Sequence, residues 1–101
     1  RKATLYTLRM IKSFVHRGQE AFYLTGNKRG IQPHHADRLR RQLTALNNAS
    51  SPTDLNAPGW RLHQLKGESR GLWSITVNGN WRITFRFVKA DVELVDYLDY
   101  Q

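Results

Sequence analysis

From residue 71 to residue 85 the chain reads GLWSITVNGNWRITF, and this stretch decides the fold. Apolar and polar residues alternate on both sides of Asn78-Gly79-Asn80, a pattern typical of two strands joined by a tight turn. A two-residue loop would place Ile75 opposite Arg82 and mix apolar with charged residues on one face. A three-residue loop places Ile75 opposite Ile83, so we predict a three-residue loop. The other opposite pairs are then Val77 with Trp81 and Trp73 with Phe85.

This register separates an apolar face from a polar one. The polar side of the hairpin carries Ser74, Thr76, Arg82, Thr84 and Arg86, and alternation in the preceding segment adds Arg61 and His63, with Lys66 nearby. We call this side of the sheet the basic face. Arginine binds phosphate through a planar fork of donors, and lysine adds a point charge, so the basic face is suited to phosphate. A solvated polar face is, however, an ordinary feature of antiparallel sheets.

The rest of the chain supplies two further strands and two helices. Period-two patterns predict strands at Trp60–Leu65, Leu72–Val77, Trp81–Val88 and Val92–Leu98, and a short first strand at Ile11–Val15. Helices are predicted at His16–Thr25, stopped by Gly26, and at Pro33–Asn48, with Gly26–Gly30 as a mobile loop between them. The second helix has an apolar stripe with a polar side opposite it. The stripe is Ala36, Leu39, Leu43 and Leu46, and the polar side is His34, Arg38 and Arg41. The fold class is therefore α+β, with the helices covering one face of a mainly antiparallel four- to five-stranded sheet.

Composition limits the class of protein. A chain of 101 residues builds a single core, and we expect one domain at residues 10–101, with residues 1–9 as an N-terminal extension outside the fold. The absence of Cys excludes disulfides and thiolate chemistry and suits a reducing cytoplasm. No apolar run approaches the roughly 20 residues of a membrane helix. A net charge of +8 favours a polyanionic partner, most commonly nucleic acid.

Few residues carry candidate chemistry. Of the four histidines, His63 is the candidate proton acceptor because alternation puts it on the basic face. His34 is interpreted as a surface residue, and His16 and His35, at helix ends, as incidental. Asp99 and Tyr100 end the last strand, where they supply a carboxylate and a ring that can stack on a base. Phosphate-loop, dinucleotide, zinc and serine-hydrolase motifs are absent from the sequence, so neither a metal nor a cofactor is predicted.

Several ordered motifs resemble the HigB toxins, a branch of the RelE/ParE superfamily of toxin–antitoxin systems. The resemblance covers residues 10–101 and is carried by four stretches. They are Met10–Phe14 with His16-Arg17-Gly18, Leu62–Gly67, Gly71–Phe85, and Asp99-Tyr100. A run of motifs in matching order is far more specific than any one of them alone.

The resemblance implies a ribosome-dependent endoribonuclease that needs no metal and cuts mRNA in the ribosomal A site. The family's active-site positions that match this sequence are His63, Lys66, Arg82, Asp99 and Tyr100. For RNA and ribosome binding we expect Lys28, Arg29, Arg38, Arg41, Arg61 and Arg86. The implied partners are a helix-turn-helix antitoxin of the HigA type, the ribosome with its mRNA, and operator DNA only through the antitoxin complex. The expected compartment is the cytoplasm.

One position departs from the family. Its members commonly end in Asp-Tyr-His, whereas Gln101 follows Tyr100 here and cannot act as an acid or base. A general acid or base contributes typically ~10²–10⁴-fold, so we expect a weaker but active nuclease. Two alternatives stay open on the sequence: a toxin of the same fold that inhibits DNA gyrase, and a protein that binds RNA or ribosomes without cutting.

Overall fold

The protein is described here from a computed structural model that covers residues 11–67 and 71–100. The described chain is α+β. Its helices are α1 (Arg17–Thr25) and α2 (Ala36–Asn48), with 3₁₀ turns at Pro33–His35 and Pro52–Leu55, and its strands are β1 (His63–Gln64), β2 (Trp73–Asn78), β3 (Trp81–Val88) and β4 (Asp91–Asp99). The two helices and the antiparallel sheet confirm the predicted fold class. The expectations for residues 1–9 and for Gln101 fall outside the described residues. No helix within the described ranges is long and apolar enough to cross a membrane.

The four strands lie in chain order, each antiparallel to its neighbour. The prediction of a first strand at Ile11–Val15 is wrong in its regularity. The segment runs parallel to β4, but it forms only two isolated bridges, Ile11 with Val92 and Phe14 with Val95. The ladder is interrupted because Leu94 has a left-handed φ of 57° and donates its N–H to the Ser13 hydroxyl.

Both helices end where predicted, at Thr25 and Asn48, but each begins later than predicted, α1 by one residue and α2 by three. The Nδ1 atom of His16 accepts the N–H of Gln19 at 2.9 Å and caps α1, and Gly26 ends it with a φ of 82°. Pro33 opens the 3₁₀ turn that leads into α2, where a missing N–H costs nothing. His16 is thus at a helix end, as expected, and it has a capping role there.

The core lies between α2 and the apolar face of the sheet. The stripe residues Leu39, Leu43 and Leu46 are all buried, as are Ile75 and Ile83 on the strands. Removing each such side chain from water stabilises the fold by roughly 1.5–3 kcal/mol. The helices therefore cover one face of the sheet, and the basic face is the opposite one.

The β2–β3 hairpin has the predicted register in its body and a different turn. Ile75 pairs with Ile83 and Trp73 with Phe85, as alternation predicts. The three-residue loop is wrong, because Trp81 pairs with Asn78 and leaves only Gly79 and Asn80 between the strands. A bulge at Val77 absorbs the extra residue, which keeps both faces in phase while the turn itself is tight.

The predicted strand Trp60–Leu65 is regular only at His63–Gln64. Arg61 interrupts it with a left-handed φ of 53°. The segment nevertheless stays beside β2, because the Trp60 carbonyl accepts the Thr76 N–H at 2.7 Å and the Leu65 N–H is donated to Leu72 at 2.8 Å. The chain therefore reaches β1 through a local kink that alternation alone does not predict.

Candidate active site

Cross-strand pairing builds the basic face in two rows. His63, Ser74, Thr84 and Asp96 lie opposite one another across all four strands. Thr76, Arg82 and Leu98 form the neighbouring row. With strands about 4.8 Å apart and residues about 3.4 Å apart along a strand, the Cα atoms of His63 and Arg82 are separated by roughly 12 Å. The pairing thus places both predicted residues on one face, two strands apart.

Arg82 and Tyr100 are in direct contact. The Arg82 guanidinium carbon lies 5.9 Å from the centre of the Tyr100 ring, within cation–π range. Two carbonyls of the β2–β3 turn hold the pair: Gly79 accepts from Arg82 Nη1 at 2.8 Å, and Asn80 accepts the Tyr100 N–H at 2.8 Å. The turn carbonyls were not predicted as part of the site, because backbone contacts leave no signal in residue types.

His63 and Lys66 form the other side of the face. His63 is exposed, and its Nδ1 atom donates a hydrogen bond to the Arg61 carbonyl at 2.9 Å. Lys66 is also exposed and follows Leu65, which is level with Leu72 on the neighbouring strand. Leu72 is four residues from Thr76, so Lys66 and Arg82 are separated by at least about 13 Å along the sheet. Their long side chains must extend across the face to act on one phosphate.

Asp96 and Asp99 lie near the end of β4, in opposite phases of the strand. Asp99 pairs with Trp81 and is in phase with Val95 and Tyr97, which face the core, so it lies at the end of the sheet beside Tyr100. Asp96 is the carboxylate in phase with Arg82, and its Oδ1 atom accepts the Tyr97 N–H at 2.8 Å. Asp96 was not predicted as a site residue, although alternation along the last strand could have found it.

The middle of the basic face is not open to solvent. Ser74 and Thr84 are buried, although both lie on the polar side of the hairpin. The hydroxyl oxygens of Ser74 and Thr76 are also buried, and neither has a hydrogen-bond partner among the described residues. A buried hydroxyl without a partner is unfavourable. These two hydroxyls lie on β2 between His63 and Arg82, and we call them the floor of the site.

The residues expected to bind RNA differ in availability. Lys28, Arg29, Arg41 and Arg61 are exposed. Arg38 is half-buried, its Nη2 atom donates to the Gly59 carbonyl at 3.3 Å, and its Nε atom is buried, so less of its guanidinium is available than in the other four. Arg86 is ion-paired with Glu93, with Nε 2.8 Å from the carboxylate. The glutamate therefore already occupies part of the Arg86 guanidinium, which an anionic ligand would have to share or displace.

His35 is the clearest correction among the histidines. Far from incidental, it is 2% exposed, and its Nδ1 atom lies 2.7 Å from the Tyr97 hydroxyl. Burial, and next the charge of His34, lower the pKa of His35, and burial raises the pKa of Tyr97. The burial of His35 could have been predicted from the sequence, because His35 precedes Leu39 by four residues and so lies on the apolar stripe.

Within the described residues there is no cluster of three or more His, Asp or Glu side chains placed to hold a metal ion. The basic face carries an imidazole, cationic side chains, a phenol and nearby carboxylates.

Comparison with known proteins gives consistent matches over nearly the whole chain. The family described as the RelE-like toxin of the type II toxin–antitoxin system HigB matches residues 12–101. Endoribonuclease HigB of Proteus vulgaris is 42% identical over 91 residues, which cover 90% of this chain and 99% of that protein. Toxin HigB-1 of Vibrio cholerae serotype O1 is 34% identical over 92 residues, 89% of this chain and 96% of that protein.

Proposed function

The chain belongs to the HigB family of RelE-like toxins from type II toxin–antitoxin systems, and from this we propose that it is a ribosome-dependent endoribonuclease that cuts mRNA in the A site without a metal. The similarity to an endoribonuclease over 99% of that protein's length supports cleavage of RNA.

The observation that carries the proposal is the Arg82–Tyr100 pair on the same face as His63. The Arg82 guanidinium is held by the turn carbonyl of Gly79 and by the Tyr100 ring. A cation held in place before the substrate arrives stabilises charge that develops on a phosphate without reorganising. A phenol ring beside it can stack on an unpaired RNA base.

The reaction uses the RNA's own 2′-hydroxyl as the nucleophile. His63 takes the 2′-OH proton, and the 2′ oxygen attacks phosphorus while the bond to the 5′ oxygen breaks. The products are a 2′,3′-cyclic phosphate and a 5′-OH. Arg82 and Lys66 stabilise the charge on the phosphate, and Tyr100 orients the base. Asp99 is the alternative proton acceptor, but its register with Trp81 favours His63 for this role.

Dependence on the ribosome follows from the spread of the catalytic groups. With roughly 12 Å between the Cα atoms of His63 and Arg82, the mRNA must be held in one conformation for both to act. Of the exposed cations, Lys28, Arg29 and Arg41 are proposed to contact ribosomal RNA. Such binding should weaken steeply as salt concentration rises, because each phosphate contact releases counterions.

Membership of a type II family implies a cognate antitoxin. We propose a helix-turn-helix antitoxin of the HigA type, with operator DNA bound only through the toxin–antitoxin complex. The proposed target, the translating ribosome, makes the cytoplasm the compartment of action.

Primer extension on a defined mRNA tests the proposal. Purified toxin is incubated with the mRNA alone and with translating ribosomes. We expect cuts only in the presence of ribosomes, and 3′ ends that resist tailing until the cyclic phosphate is removed. A folded protein that arrests growth but leaves mRNA intact in both reactions would contradict the nuclease function.

A further inference from the structure

A residue with an unfavourable backbone conformation lies two positions before His63. Arg61 has a φ of 53°, and among the described non-glycine residues only Lys89 and Leu94 share a positive φ. Residues other than glycine disfavour this left-handed backbone conformation, and those held in it cluster at functional sites. Lys89 lies in the turn between β3 and β4, and Leu94 lies at a bulge, but Arg61 adjoins a predicted catalytic residue.

The conformation of Arg61 brings its carbonyl to the imidazole of His63. The oxygen lies 2.9 Å from Nδ1. A carbonyl oxygen can only accept a hydrogen bond, so Nδ1 must carry the hydrogen. A neutral imidazole has one N–H group, which leaves Nε2 as an acceptor. The ring is thus held in the one tautomer that can take a proton at Nε2.

We propose that Arg61 is a positioning residue whose left-handed backbone holds His63 in the tautomer required for proton abstraction. The inference rests on the proposed RNA cleavage and adds a role distinct from the charge of the Arg61 side chain. The 2′-OH proton moves to Nε2, the new bond from the 2′ oxygen to phosphorus forms, and the bond to the 5′ oxygen breaks. The leaving 5′ oxygen takes a proton from water. The resulting imidazolium still donates from Nδ1 to the Arg61 carbonyl.

A set of substitutions at Arg61 separates its backbone from its charge. Arg61→Gly and Arg61→Val both remove the guanidinium, so any loss of RNA binding is common to both. Glycine adopts positive φ without cost, whereas β-branched valine disfavours it strongly. We expect valine to lower the population of the left-handed conformation about tenfold relative to glycine. Arg61→Lys is the control that keeps the charge.

The direct measurement is the tautomer of His63 in the free protein. Histidine ¹⁵N labelling and long-range ¹H–¹⁵N correlation at about pH 8, where an ordinary imidazole is neutral, show which ring nitrogen carries the hydrogen, and His63→Gln assigns the signal. We expect the hydrogen on Nδ1 in the wild-type and Arg61→Gly proteins, and a mixture of tautomers in Arg61→Val. In ribosome-dependent cleavage, kcat should be lower for Arg61→Val than for Arg61→Gly by up to about tenfold, with similar KM values, because kcat follows the population of the competent tautomer.

A wild-type His63 that carries its hydrogen on Nε2 would overturn the proposal, and this spectrum decides the question even if Arg61→Val does not fold. Equal tautomer populations and equal kcat in folded Arg61→Gly and Arg61→Val would overturn it as well. A wild-type chain that does not cut RNA would contradict the proposed function instead, because the tautomer is measured without RNA.

Discussion

Replacing Tyr97 by Phe tests the buried contact between the helices and the sheet. The Tyr97 hydroxyl accepts the Gln32 N–H at 3.2 Å and lies 2.7 Å from Nδ1 of His35. Phenylalanine keeps the ring that packs on Trp81, with ring centres 4.5 Å apart, but it removes both hydrogen bonds. The change therefore isolates the hydroxyl from the packing.

The expected loss can be worked out from burial. His35 is 2% exposed, so the loss of the hydroxyl leaves Nδ1 without a partner, at about 1–3 kcal/mol for a buried polar group. Gln32 is exposed, so a water molecule can replace the hydroxyl as the acceptor of its N–H at little cost. We expect a loss of about 2 kcal/mol in unfolding free energy, which lowers Tm by roughly 10 °C in a domain of this size.

Urea unfolding followed by tryptophan fluorescence and circular dichroism measures this loss. With an m-value of about 2 kcal/mol/M, the midpoint should fall by about 1 M. Tyr23→Phe is the matched control, because Tyr23 is half-buried and its hydroxyl has no hydrogen bond to any described residue; it should change stability by less than about 0.5 kcal/mol. If both variants lose the same small amount, the His35–Tyr97 contact does not stabilise the protein.

Three further perturbations address pH, packing and the floor of the site. Because burial lowers the pKa of His35, the unfolded chain binds a proton more readily than the folded protein does, so the free energy of unfolding should fall as pH drops below the ordinary histidine pKa of about 6.5. His35→Asn should flatten this pH dependence in urea titrations between about pH 7 and pH 5. An unchanged slope of stability against pH would refute the role of His35. Gly30→Ala should destabilise by about 1–3 kcal/mol, measured by thermal unfolding, since its Cβ would come within 2.4 Å of the Gly18 Cα; a wild-type Tm would show that this contact is absent. Ser74→Ala should leave stability unchanged or raise it by up to about 1 kcal/mol, because the buried hydroxyl has no partner; a loss above about 1 kcal/mol would mean that this hydroxyl is bonded.

Periodicity predicted the parts of the fold that burial enforces. The bounds of β3 match the prediction at both ends, and the apolar stripe of α2 is buried throughout. In both cases one face of an element must leave water, which repeats the same signal at every turn or at every second residue. The body of the β2–β3 register followed for the same reason.

What periodicity missed depends on single backbone conformations. The bulge at Val77 and the kink at Arg61 each change one residue's geometry and leave the apolar pattern intact. In the site, Arg82 and His63 could be placed on one face by alternation, but their backbone partners at Gly79 and Arg61 could not, since any residue supplies a carbonyl.

The most direct test of the account is the rate of ribosome-dependent mRNA cleavage by Arg82→Ala, measured by primer extension. Arg40→Ala is the matched control, because it removes the same charge from an exposed residue paired with Asp37 and lying over the Phe22 ring on α1. The account predicts that Arg82→Ala lowers the rate by about 10²–10³-fold at unchanged circular dichroism, while Arg40→Ala stays within about twofold of wild type. A folded Arg82→Ala protein that cuts at the wild-type rate would contradict the assignment of the basic face as the active site.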